Sequence, residues 1–170
     1  MGNESESAEQ FDRLLERLAM REQQRISSRT APRKAEGKAT EPKLLLVLTP
    51  PKRARLMLLL DGQGFQIDCA TGYQDAVRKL SGGRAVDLIL ADAELPDGSW
   101  RNLMLFAQNS GLRSEMIICA KAGESELWAE VIQCGAYDMI TEPYECQEVI
   151  RIIRSTLDSQ YMRRFTQAIG

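Results

Sequence analysis

The run Val86-Asp87-Leu88-Ile89-Leu90-Ala91-Asp92 is apolar almost throughout, ends in a carboxylate, and is followed by the chain-breakers Pro96 and Gly98. A strand this apolar has to be covered on both faces, which is the environment of a parallel sheet with helices packed on each side. In open sheets of that kind, sites form outside the carboxyl ends of the strands. One short stretch therefore predicts an α/β fold and puts Asp92 at the mouth of its sheet.

The rest of the chain from Lys43 onward alternates in the same way. Strands are predicted at Leu44–Leu48, Phe65–Ala70, Val86–Ala91, Met116–Ala120 and Tyr137–Ile140. Between them lie helical patterns: one opening at Pro50-Pro51 with Leu56, Leu59 and Leu60 inward, then Asp75–Leu80, Trp100–Gln108 and Glu124–Cys134, the last stopped by Gly135. Proline is tolerated in a first helical turn and glycine suits a helix end. A long last helix, Tyr144–Ala168, carries Val149, Ile150, Ile153, Leu157, Tyr161 and Phe165 on one side. Five βα units predict a doubly wound, five-stranded parallel sheet with right-handed crossovers and helices on both faces. The flavodoxin-like strand order 2-1-3-4-5 has its switch point between strands 1 and 3, beside Asp92.

Composition narrows the chemistry. The 170 residues hold 44 % hydrophobic residues and a net charge of −2, enough for a core and not the signature of general nucleic-acid affinity. No apolar run nears the ~18 residues of a membrane span, and the polar N-terminus does not read as a signal peptide, so a cytoplasmic location is expected. Histidine is absent, which excludes histidine-based acid–base or triad chemistry and a histidine phosphoryl donor in this chain. Cys69, Cys119, Cys134 and Cys146 are far apart with no Cys-x-x-Cys, so reduced, mostly buried thiols are expected rather than a zinc site.

Residues 1–27 read as an amphipathic helix through Phe11, Leu14, Leu15 and Leu18, with Arg13, Arg17, Arg21, Arg25 and Arg29 forming a slowly winding basic stripe. That stripe is either a solvated face or a surface for an anionic partner. Residues 28–42 lack large apolar side chains and read as a flexible linker. A domain over 43–157 and a 158–170 extension of the last helix complete the layout.

The words Asp87-Leu88-Ile89-Leu90-Ala91-Asp92, Leu95-Pro96-Asp97-Gly98, Gly135-Ala136-Tyr137-Asp138 and Pro143-Tyr144, in this order and spacing, resemble a CheY-like response-regulator receiver domain. The resemblance covers roughly two thirds of the chain and implies a phosphoacceptor position at Asp92. In that family two acidic residues after strand 1 hold Mg²⁺ with the acceptor, a Ser or Thr after strand 4 binds phosphoryl oxygens, and a Lys before a Pro after strand 5 pairs with the acceptor. Here those degenerate positions carry Leu48 and Thr49, Cys119, and Glu142 before Pro143. The resemblance also implies a cis peptide before Pro143. Met139 stands where the family often has an aromatic residue, and Tyr137, two residues away, is expected on the same face.

Each change works against phosphoryl transfer. Lost carboxylates weaken a hard-cation site, a thiol is a weak donor, and a Lys-to-Glu change turns attraction into repulsion. No cofactor is expected; a weak Mg²⁺ site would fall to Asp92 and to Glu94 in the following loop. Lys121 is the nearest cation in sequence to the fourth loop and a candidate partner for Asp92.

The chain is thus expected to be a divergent, stand-alone receiver in two-component or phosphorelay signalling and not an enzyme. It would act through protein partners such as a histidine kinase or another signalling protein, or as a homodimer; Tyr161, Phe165 and Ile169 would either form a dimer or partner contact or dock on the N-terminal helix. Two alternatives remain: a working regulator phosphorylated at Asp92, and a flavodoxin-like domain binding a small ligand. The latter is disfavoured because Leu48-Thr49-Pro50-Pro51 is no glycine-rich phosphate cradle. Membrane contact is not expected, and no recognition-helix signature supports nucleic-acid binding.

Overall fold

Residues 40–169 are described by the computed structural model, so the helix expected over 1–27 and all but the last three residues of the expected linker lie outside the described residues. Within 40–169 the elements run β1 (Lys43–Val47), α1 (Pro50–Leu60), β2 (Gln66–Ala70), α2 (Tyr73–Ser81), β3 (Leu88–Asp92), β4 (Glu94–Leu95), β5 (Gly98–Ser99), α3 (Trp100–Asn109), β6 (Glu115–Ala120), α4 (Ser125–Gln133), β7 (Asp138–Thr141) and α5 (Cys146–Ile169). The main sheet has the order β2-β1-β3-β6-β7 and every pairing in it is parallel. This is the flavodoxin-like arrangement, with the crossover reversal between β1 and β3.

Strand periodicity sorts the core into two layers. Leu45, Val47, Ile89, Ala91, Met116 and Ile118 pack with Ala76, Leu80, Trp100, Leu103 and Val131 of α2, α3 and α4. Leu44, Leu46, Leu88, Leu90 and Ile117 pack with Leu56, Leu60, Val149, Ile152 and Ile153 of α1 and α5. Because side chains alternate along a strand, Asp92, two residues past Leu90, belongs to the layer shared with α1. So does Cys119, two past Ile117, and its backbone lies in register with Asp92.

Three local departures from the sequence reading have physical causes. The segment after β3 is a small antiparallel hairpin, β4–β5, rather than a plain loop. Its turn residue Asp97 accepts hydrogen bonds from the backbone N–H groups of Tyr73 at 2.6 Å and Gln74 at 2.9 Å. That remote cap lets α2 begin two residues earlier than its own sequence suggests. A Cβ on Gly72 would lie 2.2 Å from Asp97 Oδ1, so glycine keeps that approach open. Tyr137 precedes β7 and escapes its alternation: the hydroxyl reaches Ser155 and Ser159 on α5, whereas Met139 packs in the α2–α4 layer. The expectation that the two share a face fails for that reason. The Glu142–Pro143 peptide is cis.

The last helix does not leave the domain at Leu157. Gln160 is 5 % exposed, and its Nε2 donates to the carbonyls of Asp87, at 2.9 Å, and Arg113. Arg163 pairs with Glu115 at 2.9 Å and Arg164 with Asp87 at 3.3 Å. Tyr161, Met162, Phe165 and Ile169 remain exposed on the other side. Among the thiols only Cys119 is buried; Cys69 and Cys134 are partly so and Cys146 is exposed, which corrects the expectation of mostly buried cysteines. Among the described residues no helix is long and apolar enough to cross a membrane.

Candidate functional site

At the carboxyl end of β3 the Asp92 side chain is 1 % exposed. Its Oδ1 accepts from Lys52 Nζ at 2.7 Å and from the Glu94 backbone N–H at 3.2 Å, and its Oδ2 accepts from Thr49 Oγ1 at 3.1 Å. Lys52 is 7 % exposed and sits one and two helical steps before Leu56 and Leu60, on the inward stripe of α1. Residues at i, i+4 and i+8 share a face, so Lys52 continues an apolar stripe with an ammonium where that stripe reaches the mouth of the sheet. Thr49, the residue before α1, makes no side-chain bond to the helix's own N–H groups; its hydroxyl is spent on Asp92.

Lys52 was not among the residues that the sequence reading singled out. The cation it proposed, Lys121, instead bonds Glu94 at 3.0 Å, and this hydrogen bond raises the Lys121 ammonium above its usual range. Glu142, expected to repel Asp92, turns to Arg55 at 3.2 Å. Three acids of the site thus meet three cations: Asp92 with Lys52, Glu142 with Arg55, Glu94 with Lys121. Two of those cations lie on α1, three residues apart.

Leu48 is buried in the core layer shared with α1 and α5 and contributes no oxygen. Cys119 is buried beside Asp92. Burial pushes its thiol up to about 12, and the negative charges of Asp92 and Glu142 add to this against the opposing charge of Lys52. Tyr144 follows Pro143; its buried hydroxyl has no hydrogen-bond partner among the described residues, and desolvation raises its pKa.

The energetics identify the dominant contact. Two unit charges 2.7 Å apart attract by about 6 kcal/mol at an effective dielectric of ~20. Taking each ion out of water costs several kcal/mol, so the net value of the pair is near zero, yet removing one partner strands the other at a cost of about 3–5 kcal/mol. Arg55 and Lys121 are solvent-facing, and their pairs are each worth about 0–1 kcal/mol. A hard divalent ion such as Mg²⁺ needs several anionic or carbonyl oxygens. One carboxylate already facing an ammonium does not fit it, and among the described residues no cluster of three or more His, Cys, Asp or Glu side chains could hold a metal.

No family model matches the chain. The chain is 26 % identical over 102 residues to the regulatory protein AtoC of Escherichia coli K12, covering 60 % of this chain and 22 % of AtoC. It is 25 % identical over 118 residues to the chemotaxis protein CheY of Bacillus subtilis 168, covering 67 % of this chain and 97 % of CheY. The signal receiver domain of an HD domain-containing protein from Pseudomonas fluorescens Pf-5 superposes with a TM-score of 0.68 at 21 % identity, over 78 % of this chain and 98 % of that one. These likenesses support a CheY-like response-regulator receiver domain, whose fold the described residues share. Such receiver domains are modules of two-component signalling, not enzymes in the usual sense, and they interact with histidine kinases and other signalling proteins. The chain spans less than a quarter of AtoC and nearly all of CheY.

Proposed function

We propose that this receiver is a divergent one, a module that signals by protein–protein contact with weak or absent phosphoryl transfer at Asp92, which stands in the acceptor position. The observation that carries this reading is the environment of Asp92: both carboxylate oxygens already accept hydrogen bonds, from Lys52, Thr49 and the Glu94 N–H, inside a nearly closed site. Phosphoryl transfer needs a metal or fixed cations to neutralise charge on the transferring group, and an open line of approach to the attacking oxygen. Leu48, Thr49, Cys119 and Glu142 supply none of these, and the fixed cation that is present, Lys52, is already engaged with an Asp92 oxygen. Signalling through surfaces is the remaining use of the fold, and the exposed Tyr161, Met162, Phe165 and Ile169 on α5 offer an apolar contact for a protein partner or a second copy.

Incubating the full chain with Mg²⁺ and either acetyl phosphate or beryllofluoride tests the proposal, read by intact mass and by ¹⁹F NMR. No adduct is expected under conditions that fully load a control receiver. Stoichiometric phosphorylation mapped to Asp92 would refute it.

A further inference from the structure

We propose that Lys52 is the resident cation of this site: an ammonium carried on α1 that takes over the charge compensation that, in the receiver family, comes from a lysine at position 142 and from Mg²⁺ held by acids at positions 48 and 49. This deepens the reading of an unphosphorylated receiver and rests on it. Three observations converge on Lys52. Its Nζ lies 2.7 Å from Asp92 Oδ1, and both residues are more than nine-tenths buried. A lysine almost never occupies such a position without a fixed partner. It also falls on the Leu56–Leu60 stripe, where an apolar residue would pack without any desolvation cost.

The remaining charges of the site close around this pair. Glu142 on the chain after β7 is matched by Arg55, one turn along α1 from Lys52, and Glu94 is matched by Lys121. Among the described residues Asp92, Glu142 and Glu94 are thus each matched by a cation of the chain itself. The cation that the receiver family places before the strand-5 proline has moved to the other element that flanks the acceptor on this face. In consequence Asp92 is held by the protein's own charge, and the Asp92–Lys52 contact pins the start of α1 to the end of β3.

The test is a charge cycle on the full chain, read by urea unfolding: wild type, K52M, D92L, K52M/D92L, and K52M/E142K. K52M should lower the folding equilibrium constant by about a hundredfold or more, because it strands a buried carboxylate. K52M/D92L should return to within about tenfold of wild type, since removing both charges leaves an apolar contact. K52M/E142K should recover at least tenfold over K52M, because a cation is again supplied to Asp92, now from the β7 side. That rescue would not follow if Lys52 mattered only as a space-filling stem. If K52M does not fold, folding of the two double variants carries the test. Single effects that simply add in K52M/D92L, or a K52M/E142K no more stable than K52M, would overturn the inference. Those outcomes leave the unphosphorylated reading standing. Phosphorylation of Asp92 in the wild type sinks that reading without altering the cycle.

Discussion

The Cys119 thiol offers a direct measure of how tightly the mouth of the sheet is sealed. Its pKa is pushed from 9.0 to about 12, first by complete burial and then by the charges of Asp92 and Glu142, against Lys52. In the unfolded chain the thiol ionises near its ordinary value. Between the two values the unfolded state binds fewer protons than the folded state, so stability falls as pH rises through that window. Below pH 9 both states are protonated and the contribution is fully present. The loss from this one group is on the order of 1 kcal/mol at pH 10 and grows to a few kcal/mol by pH 11.

Other groups titrate in the same range, so the informative quantity is the difference between wild type and Cys119→Ala, which shares all of them. Urea unfolding at a series of pH values from 7 upward gives that difference. At neutral pH the variant is the less stable, because a small cavity replaces the sulfur. From pH 9 upward the gap closes by the amounts above, since alanine has nothing to ionise. Native-state alkylation provides the second readout: exposed Cys146 is labelled at once and Cys119 only on unfolding. A stability gap that stays constant to pH 11, or a Cys119 labelled as fast as Cys146, would refute a sealed, water-free site next to Asp92.

Other consequences are more local. Gln160→Leu removes the donor that satisfies the carbonyls of Asp87 and Arg113, and should cost about 1–3 kcal/mol in urea unfolding. Gly72→Ala drives a methyl group onto the Asp97 carboxylate and should destabilise by about 1–3 kcal/mol, with loss of amide protection at Tyr73 and Gln74 in hydrogen exchange. Asp97→Ala removes the same cap and should cost about 1 kcal/mol near neutral pH. The Gln74 and Tyr73 N–H groups hold the Asp97 carboxyl below its usual range, so the wild-type advantage over D97A should disappear as pH falls through that lowered value in acid unfolding.

The sheet and the place of Asp92 were legible because buried parallel strands are written as unbroken apolar runs, and Leu44–Leu48, Val86–Ala91 and Met116–Ala120 are of that kind. What depended on contacts far apart in sequence was not. Asp97 caps a helix more than twenty residues before it, so the start of α2 was misread and the β4–β5 hairpin passed for a loop. Lys52 was missed for a different reason, since its signal lay in two periodicities that have to be combined. It stands at i−4 and i−8 from Leu56 and Leu60, which the helical pattern turns inward. Asp92 stands two residues past Leu90, which the strand pattern turns toward the same layer. Each pattern is legible alone, but nearness in sequence to the fourth loop points to Lys121, whereas the partner of Asp92 lies on the helix across the layer.

The pairing changes how the usual loss-of-acceptor variant has to be interpreted. In a site open to water, replacing the acceptor aspartate by alanine deletes a reactive group and little else. Here Asp92→Ala would leave the Lys52 ammonium buried and unpartnered, with the Thr49 hydroxyl and Glu94 N–H also deprived of their acceptor. A loss of about 3–5 kcal/mol is a large share of the roughly 5–15 kcal/mol that holds a domain together. A silent D92A chain could then be one that had partly unfolded, and its phenotype would carry no information on phosphorylation. K52M/D92L removes the acceptor without orphaning a charge. If that double variant folds and still engages its partners, the carboxylate at the end of β3 is a structural ion; if it folds and fails, the carboxylate itself is part of the signal.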